Sequence, residues 1–360
     1  MSRAAEPAPL ETPYADLSPE RMLDAIEAFI HVSEPGIRCT GALFPLNSYE
    51  NRVAIAALDA PYRGRTEVVA KFYRPGRWSD ATIREEHAFA LEAAAAGVDT
   101  VEPWPAAPRR KTSTLFAFGG HRLSLFPKRG GRPFETRTDE DFRQIGRLVG
   151  RLHALGSIRP FRRRFALTPD TYAAPALDAA LASRILPADI KPNYRATGEA
   201  LLDAIEAAWI PAHAIRLHGD LHLGNVLVDA TGPFLVDLDD CCMGPAAQDL
   251  WMLLSGDAKE QEEQLRPLLS GYETFFDFNH AELALIEPLR GMRMLRHNGW
   301  LADRWADPAF PRAFPYAAMP RYWQDQITAY REQAERILSH LPGEPQGEQG
   351  PIGWEWDQDR

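Results

Sequence analysis

Two stretches in the first hundred residues carry apolar side chains at helical spacing. In the first, Ser18 is a typical N-cap and Pro19 suits the first helical position. The second stretch runs from about residue 80 to Ala96, where Gly97 supplies a stop signal. Each stretch predicts an amphipathic helix. The apolar stripe of the first one consists of Met22, Leu23, Ile26, Phe29 and Ile30.

Short apolar runs rich in β-branched and aromatic residues lie on both sides of the second helix. Val53–Ala56 and Glu67–Tyr73 are two of them, and a turn is predicted between them at Pro61–Gly64. Two further runs, Thr114–Phe118 and Arg122–Phe126, flank a Gly-Gly pair, which is typical of a β-hairpin. The pattern therefore predicts a sheet in this part of the chain.

The composition changes from strand-rich to helix-rich just after residue 126. We therefore expect a small lobe at 18–126 and a larger, mainly helical lobe at 127–341. The flanking segments 1–17 and 342–360 are rich in Pro and in small or polar residues, and both are expected to be disordered. The predicted fold is α+β, with a β-rich N-terminal lobe and a helical C-terminal lobe.

Composition excludes several classes of protein. The 360 residues are 45% hydrophobic and 25% charged, which is ordinary for a soluble globular protein. The sequence contains no run of about 20 apolar residues, so no transmembrane helix is predicted. The first twelve residues lack the apolar core of a signal peptide. A net charge of -10 disfavours nucleic acid or an anionic membrane as a partner. Three cysteines, two of them adjacent, do not suggest a disulfide scaffold, so a cytoplasmic protein is expected.

The polar residues with the most informative spacing lie in two segments, His218–Asn225 and Val236–Asp240. Asp220 and Asn225 are five positions apart, which is the Asp-to-Asn spacing of the protein-kinase catalytic loop. Phosphoryl transfer requires a carboxylate to orient the acceptor hydroxyl, an oxygen ligand for the metal, and a second carboxylate at the metal and phosphates. Asp220, Asn225 and Asp237 would supply these groups in that order. A short hairpin between the segments would bring Asn225 and Asp237 to the same end.

A lysine and a glutamate upstream fit the same chemistry. Lys71 stands inside an apolar run, where a lysine either reaches out from an edge strand or points at an anion. Ahead of a catalytic loop of this type, the expected anion is the α/β-phosphate group of ATP. On the second predicted helix Glu86 borders the apolar face while Glu85 points away, so Glu86 is the expected partner of Lys71.

The same segments have two other interpretations. His218, Asp220 and His222 alternate along the chain and would share one face of an extended segment, as in the transition-metal site of a hydrolase. That interpretation gives Asn225 and Asp237 no role, and the sequence lacks a second ligand cluster of a known type. The third interpretation is a polar turn between two strands, which the compatible spacing of two separate segments disfavours.

Two groups of arginines in the sequence have no evident part in phosphoryl transfer. Arg162–Arg164 is a basic run of the kind that usually lies on a solvated surface, with an acidic partner as the alternative. Arg290, Arg293 and Arg296 recur at three-residue steps in a predicted helix, and either a substrate cleft or the surface would suit them. The adjacent cysteines are expected to be small buried residues, with oxidant sensing as the alternative.

The two motif segments resemble the aminoglycoside-phosphotransferase and choline-kinase branch of the protein-kinase-like fold, in which His-Gly-Asp replaces His-Arg-Asp. Within that branch the chain is most similar to bacterial stress-response protein kinases, over about residues 35 to 320. The distinctive segments are Pro45–Val53, Lys71–Pro75, Leu217–Asp220, Val236–Asp240, Gln248–Leu254, Ile286–Arg290 and Arg304–Pro311.

This resemblance implies a bilobed kinase-like fold and a monomeric, cytoplasmic serine/threonine protein kinase that uses ATP and Mg²⁺ in stress responses. Asp220 would be the catalytic aspartate, Asp237 would serve both catalysis and magnesium, and Asn225 would be the other magnesium ligand. Ser48 would lie at the ATP site. The loop there lacks the G-x-G-x-x-G pattern, so main-chain amides and the hydroxyl near Ser48 and Tyr49 would contact the phosphates.

Two alternatives share this set of residues. One is a kinase for a small molecule such as an amino-alcohol or an aminoglycoside, for which the catalytic residues would be the same. The other is a nucleotide-binding protein without catalysis, which the intact set of Lys71, Asp220, Asn225 and Asp237 disfavours.

Overall fold

The computed structural model of the chain describes residues 13–46, 48–107 and 113–341. The expected disordered tail at 342–360 and residues 1–12 of the expected disordered N-terminus lie outside the described residues. Residues 13–17 differ from the expectation of disorder, because they form a turn with Tyr14 buried. The single proton of the Tyr14 hydroxyl is shared between the carbonyl oxygens of Glu50 (3.1 Å) and Phe72 (3.2 Å).

The strand-rich region forms a five-stranded antiparallel sheet in the order β1-β2-β3-β5-β4. The predicted helices and the predicted hairpin are confirmed. Ser18 and Ser79 cap the two helices by accepting hydrogen bonds from the main-chain N–H groups of Arg21 and Thr82. The elements are α1 (Pro19–His31), β1 (Cys39–Pro45), β2 (Arg52–Tyr62), β3 (Arg65–Phe72), α2 (Asp80–Ala95), β4 (Phe116–Phe118) and β5 (His121–Pro127).

The hydrophobic core of this region contains one face of α1 and alternate residues of β2 and β3. Val68 and Ala70 of β3 are fully buried in it. Because successive side chains of a strand point to opposite faces, Val69 and Lys71 lie on the other face of the sheet. That face lines a cavity, described below, and the alternation of β3 is what directs Lys71 into it.

The remainder of the described chain is mainly helical, which confirms the predicted α+β fold class. Two small antiparallel sheets, β6-β8-β9 and β10-β7, lie among the helices. The elements are β6 (Arg132–Pro133), α3 (Asp139–Gly156), α4 (Ala174–Ala182), α5 (Lys191–Ala208), β7 (Ile215–Leu217), β8 (Val226–Asp229), β9 (Gly232–Leu235), β10 (Cys242–Gly244), α6 (Ala247–Trp251), α7 (Ala258–Tyr272), α8 (Ile286–Arg304), α9 (Ala309–Ala313) and α10 (Pro320–Ser339).

The described chain divides into two compact units. The first runs up to Leu167 and adds Ala212–Asn279 and Ala306–Ala313, so it contains all the sheets. The second comprises Thr168–Pro211, His280–Trp305 and the residues from Phe314 onwards. The boundary near residue 126 between a small and a large lobe stays a prediction.

Within the first unit, α3 and α7 pack unusually closely. A Cβ atom on Gly146 would lie only 2.1 Å from the carbonyl oxygen of Leu268, so this crossing requires glycine. The close approach places His153 of α3 against α7, where its Nδ1 lies 2.9 Å from the hydroxyl of Tyr272. His153 is thereby fixed in the core, and its other ring nitrogen lies 3.0 Å from the carboxylate of Asp249.

The second unit is built from helices that pack in pairs, α4 on α8 and α5 on α10. In α8, Arg290 lies 3.3 Å from the carboxylate of Glu287, and the guanidinium of Arg296 stacks over the ring of Tyr172 at 5.4 Å. Both arginines therefore have partners inside their own unit. None of the helices among the described residues is long and apolar enough to cross a membrane.

Candidate active site

The loop that follows β7 is held by one buried carboxylate. Asp249 accepts hydrogen bonds from the main-chain N–H groups of His218 (2.7 Å) and Gly219 (2.8 Å). The Nε2 atom of His153 lies 3.0 Å from the same carboxylate. Burial alone would raise the pKa of Asp249, but these hydrogen bonds hold that pKa below its usual value. Asp249 therefore stays charged in the core and fixes the backbone just ahead of Asp220.

A glycine joins this loop to the second motif segment. Gly219 has a positive φ of 85°, and a Cβ atom on it would lie 2.3 Å from the carbonyl oxygen of Asp240. His218 adds a second link, since its Nε2 lies 2.9 Å from the carbonyl oxygen of Val236. The two motif segments, His218–Asn225 and Val236–Asp240, are thus in direct contact.

The predicted hairpin brings Asn225 and Asp237 to the same end, as expected. Val226 of β8 pairs with Leu235 of β9, and the N–H of Val236 donates to the carbonyl of Asn225 at 3.0 Å. The side-chain amide of Asn225 donates to the carbonyl oxygen of Asp220 at 2.8 Å. This leaves the amide oxygen of Asn225 as a candidate metal ligand beside Asp237.

Asp237 has a strained backbone and an accessible side chain. Its φ and ψ angles of 61° and 65° are left-handed, a conformation that costs a non-glycine residue about 1–3 kcal/mol. The side chain is 53% exposed, and its Oδ1 lies 3.1 Å from the Nζ of Lys71. Left-handed residues of this kind concentrate at functional sites, where the surrounding structure holds them.

Lys71 lies inside a group of carboxylates. Its Nζ is 3.4 Å from Glu86, 3.0 Å from Asp239 and 3.1 Å from Asp237. The expected pairing with Glu86 is therefore present. Burial alone would lower the pKa of Lys71, but the three carboxylates outweigh it and hold that pKa above its ordinary value. The lysine is charged and its ammonium group is fixed.

Two buried arginines complete this cluster, and neither was assigned a site role from the sequence. Arg164 donates to Glu86 at 2.9 Å and to the carbonyl oxygen of Asp239. Arg77 donates to the carboxylates of Asp239 and Asp240. Burial would raise the pKa of Asp239, but Lys71 and the two arginines keep it well below its ordinary value. Asp239 is thus a buried anion at the centre of the cluster.

The basic run Arg162–Arg164 differs from the expected solvated surface at one position. Arg164 is buried, with a side-chain exposure of 0%, whereas Arg162 and Arg163 are exposed. The carboxylate of Glu85 accepts the main-chain N–H groups of all three residues at 2.7 to 3.0 Å. Two adjacent glutamates of α2 therefore bind the same run: Glu85 accepts its main-chain N–H groups, and Glu86 is the acidic partner of the Arg164 side chain.

A cavity of about 340 Å³ opens over these groups. It is lined by five of the seven predicted site residues, whereas Asp220 and Tyr49 are not part of its lining. Tyr49 is 45% exposed, and its proposed contact with a ligand stays a prediction. The predicted residues in the lining are Ser48, Lys71, Glu86, Asn225 and Asp237, and the apolar ones include Leu46, Val53, Val69, Val101, Phe126 and Leu227.

The geometry disfavours a transition-metal site on the alternating histidines. His218 is buried and directed at the carbonyl of Val236, while Nδ1 of His222 accepts the N–H of Gly224 at 3.0 Å. Across the part of the chain that the structure describes, no group of three or more His, Cys, Asp or Glu residues is arranged to hold a metal ion. Magnesium needs fewer protein ligands, because it keeps waters and binds substrate phosphates.

The adjacent cysteines are buried beside the cluster. Cys241 and Cys242 are 0% and 1% exposed. Burial raises the pKa of both thiols well above the ordinary value, so neither carries the thiolate that reacts with oxidants. The expectation of small buried residues is confirmed.

Comparison with known proteins supports this chemistry. The sequence profile of the phosphotransferase enzyme family matches residues 45–286. Proteins named stress response kinase A from Salmonella choleraesuis (strain SC-B67) and Escherichia coli (strain K12) are 42% and 39% identical over 338 and 330 residues. Both alignments cover 91% of this chain and 96% of the relative. A relative from Salmonella typhimurium (strain LT2), 42% identical with the same coverage, is named serine/threonine protein kinase RdoA.

Solved structures show the same fold. The amicoumacin kinase hAmiN, solved with AMP-PNP, Ca²⁺ and Ami, has a TM-score of 0.66 at 19% identity over 88% of this chain and 93% of its own. A microcompartment-associated aminopropanol kinase has a TM-score of 0.62 at 18% identity over 88% and 97% of the two chains. The family expected from the motifs is confirmed. The chain is a phosphotransferase that belongs to the phosphotransferase enzyme family and, within it, to the family of stress response kinase A.

Proposed function

We propose that the protein is an ATP- and Mg²⁺-dependent serine/threonine protein kinase that acts as a monomer in the cytoplasm in bacterial stress responses. The observation that carries the proposal is the position of Lys71, Asn225 and Asp237 around one cavity. The names of relatives covering 91% of the chain support both the protein acceptor and the stress response.

The cavity lining contains two kinds of side chain that suit the two ends of ATP. Its apolar side chains, such as Val53 and Leu227, suit a purine base, and its charged groups suit phosphates. In this proposal Lys71 holds the α/β-phosphates and Glu86 orients Lys71. Ser48 and the main chain at Tyr49 cover the phosphates.

Asn225 and Asp237 offer the hard oxygen atoms that magnesium prefers. Bound there with ATP, magnesium would neutralise charge on the transferring phosphoryl group. Lys71 lies 3.1 Å from Asp237, so the lysine and the metal ligand already converge on the position proposed for the phosphates. Glu86 and Asp239 hold the ammonium group of Lys71 in place.

Asp220 is the proposed group that positions the acceptor hydroxyl. Its main-chain oxygen is bound by Asn225, and the backbone before it is anchored by Asp249. These contacts fix the main chain of Asp220 relative to Asn225. Such preorganisation supplies most of the catalysis in phosphoryl transfer, because the protein has little covalent chemistry to perform.

We predict that Asp220→Asn lowers kcat by about 100- to 10,000-fold, the usual contribution of a positioned base. The binding of Mg-ATP should change little, since Asp220 does not line the cavity. Steady-state kinetics with a phosphoacceptor protein, together with calorimetry for Mg-ATP, measures both effects. Full turnover by the variant would remove Asp220 from its proposed role.

The acceptor itself is tested by incubating the protein with labelled ATP and Mg²⁺ in cell extract and mapping the phosphorylated residues. We expect phosphoserine or phosphothreonine on proteins, including the enzyme itself, and about 100- to 10,000-fold slower formation of it with the Asp220→Asn variant. The contrary result is an absence of phosphoprotein together with rapid ATP turnover on one small alcohol or amino-alcohol. That outcome would favour a small-molecule kinase.

A further inference from the structure

The loop between β1 and β2 has no glycine to set its shape. Residues 48–51, called the phosphate loop below, include Ser48 and Asn51 of the cavity lining. The sequence contains no glycine between Gly41 and Gly64. A loop that approaches phosphates closely usually depends on glycine for its backbone conformation. Here other contacts must hold the loop in place.

Arg52 ties the phosphate loop to a distant carboxylate. One terminal nitrogen of its guanidinium donates to the carbonyl oxygen of Tyr49 at 3.5 Å. The other lies 3.4 Å from the carboxylate of Asp307. Arg52 and Asp307 are 255 positions apart in the sequence.

Arg74 makes a second connection from the same loop to the same carboxylate. Its main-chain N–H donates to the Oδ1 of Asn51 at 3.1 Å, and its Nε lies 3.8 Å from Glu50. Its Nη1 donates to Asp307 at 3.0 Å. Three consecutive residues of the phosphate loop are therefore linked to Asp307 through two arginines.

The carboxylate at the centre of these links is itself fixed. Asp307 is 2% exposed, and its Oδ1 accepts the main-chain N–H of Ala309 at 3.0 Å. Arg74 is held from a further side, because its guanidinium lies over the ring of Phe310 at 5.6 Å. A buried ion pair of this kind gains little stability once desolvation is subtracted. Its geometry instead suits the placement of the loop.

We propose that Asp307 is a positioning residue that sets the phosphate loop for ATP through Arg52 and Arg74. This inference rests on the proposed function, since ATP is the ligand that the loop would cover. With the carboxylate present, both guanidinium groups are held beside the loop, where Arg52 contacts the carbonyl oxygen of Tyr49 and Arg74 contacts the carboxylate of Glu50. Without it, they lose their shared anchor and the loop loses its fixed distance from Lys71.

The test is the Asp307→Asn variant, which keeps the side-chain size and removes the charge. We expect the Kd and the KM for Mg-ATP to rise about tenfold, a typical size for coupled groups, while kcat changes less than the KM. Calorimetry and steady-state kinetics measure this split. A loss of stability alone would lower the melting temperature without changing the affinity of the folded protein.

Glu92→Gln is the matched control. The carboxylate of Glu92 lies 2.9 Å from the guanidinium of the buried Arg216, and Glu92, on α2, does not line the cavity. The variant therefore removes a partly buried ion pair that lies outside the cavity lining. It should lower the melting temperature and leave the Kd for Mg-ATP unchanged. In the double variant Arg74→Gln/Asp307→Asn, the Kd should rise no further than in the more affected single variant, because the two residues act as one unit.

A folded Asp307→Asn protein that binds Mg-ATP within about twofold of the wild type overturns the inference. Strictly additive effects in the double variant would also overturn it. The proposed function would survive either result. Conversely, weaker ATP binding by Asp307→Asn in an enzyme that phosphorylates only a small alcohol would support the inference and contradict the proposed acceptor.

Discussion

At the scale of single residues, ATP binding should depend on three side chains that share one cavity. Asp237→Ala and Asn225→Ala each remove a hard oxygen ligand for magnesium, and Lys71→Met removes a buried charge while keeping the apolar stem. Each is expected to weaken Mg-ATP binding about 10- to 100-fold, the range for a lost charge-assisted interaction. Calorimetric titration with Mg-ATP measures the change directly.

The control for this series is Lys128→Ala. Lys128 pairs with Glu67 at 2.6 Å, is 37% exposed, and does not line the cavity. Its removal tests the general effect of losing a positive charge and should leave Mg-ATP binding unchanged. If all three site variants bound Mg-ATP as tightly as Lys128→Ala does, the ATP site would lie elsewhere.

The site residues that the sequence predicts are those marked by a short interval or by one face of a single helix. Asp220 and Asn225 were found from a five-residue interval, and Glu86 from the face of one helix. Asp239 and Arg164 could not be found in this way, because their partners are far away in the chain. Arg77 is separated from Asp239 by 162 positions and Arg164 from Glu86 by 78. No periodicity marks such pairs.

At the scale of elements, the contact between the catalytic loop and the second motif segment rests on Gly219. A Cβ atom there would lie 2.3 Å from the carbonyl of Asp240, so Gly219→Ala must push the two segments apart. A misplacement of about 1 Å can cost about 100-fold in rate, and we expect at least that loss in kcat. Steady-state kinetics and thermal melting of the purified variant measure rate and stability separately.

Gly120→Ala is the control, because it shares the backbone strain without the clash. Its φ of 89° is close to the 85° of Gly219, and nothing lies within 4 Å of the added Cβ. Both variants should lose about 1–2 kcal/mol of stability from the left-handed conformation. Only Gly219→Ala should lose activity. Equal kcat values in the two variants would show that the contact with Asp240 has no catalytic consequence.

Helices and strands that are marked by neighbouring residues in the sequence could be predicted, whereas the packing between them could not. The N-cap Ser18 and the hairpin of β4 and β5 follow from residues that are adjacent in sequence. The close crossing of α3 and α7 depends on Gly146 meeting Leu268, which lie more than a hundred positions apart. Asp249, which that crossing helps to position through His153, was for the same reason recognised only in the structure.

At the scale of the whole molecule, the stability of the fold should fall in mild acid because of His87. This buried ring contacts the hydroxyl groups of Tyr73 and Thr114, each at 2.7 Å. Burial, reinforced by the cations Lys71 and Arg164, lowers its pKa to about 3. In the unfolded chain a histidine has a pKa of about 6.5. Between these values only the unfolded state binds the proton, so stability is complete above about pH 6.5 and decreases as the pH falls towards 3.

The largest expected slope from this group is about 1.4 kcal/mol per pH unit. For a chain of 360 residues, each kcal/mol of lost stability lowers the melting temperature by about 1–2 °C. Calorimetric melting at pH 7.5, 6.5 and 5.5 tests it over a range above the ordinary titration of carboxylates. The His87→Gln variant should have a flatter profile, whereas His340→Gln, at an exposed histidine of α10's C-terminus, should match the wild type. If the melting temperature of His87→Gln fell with pH as steeply as that of the wild type, the acid sensitivity would belong to other groups. If the melting temperature of the wild type did not change with pH, His87 would be protonated equally in the folded and unfolded chains.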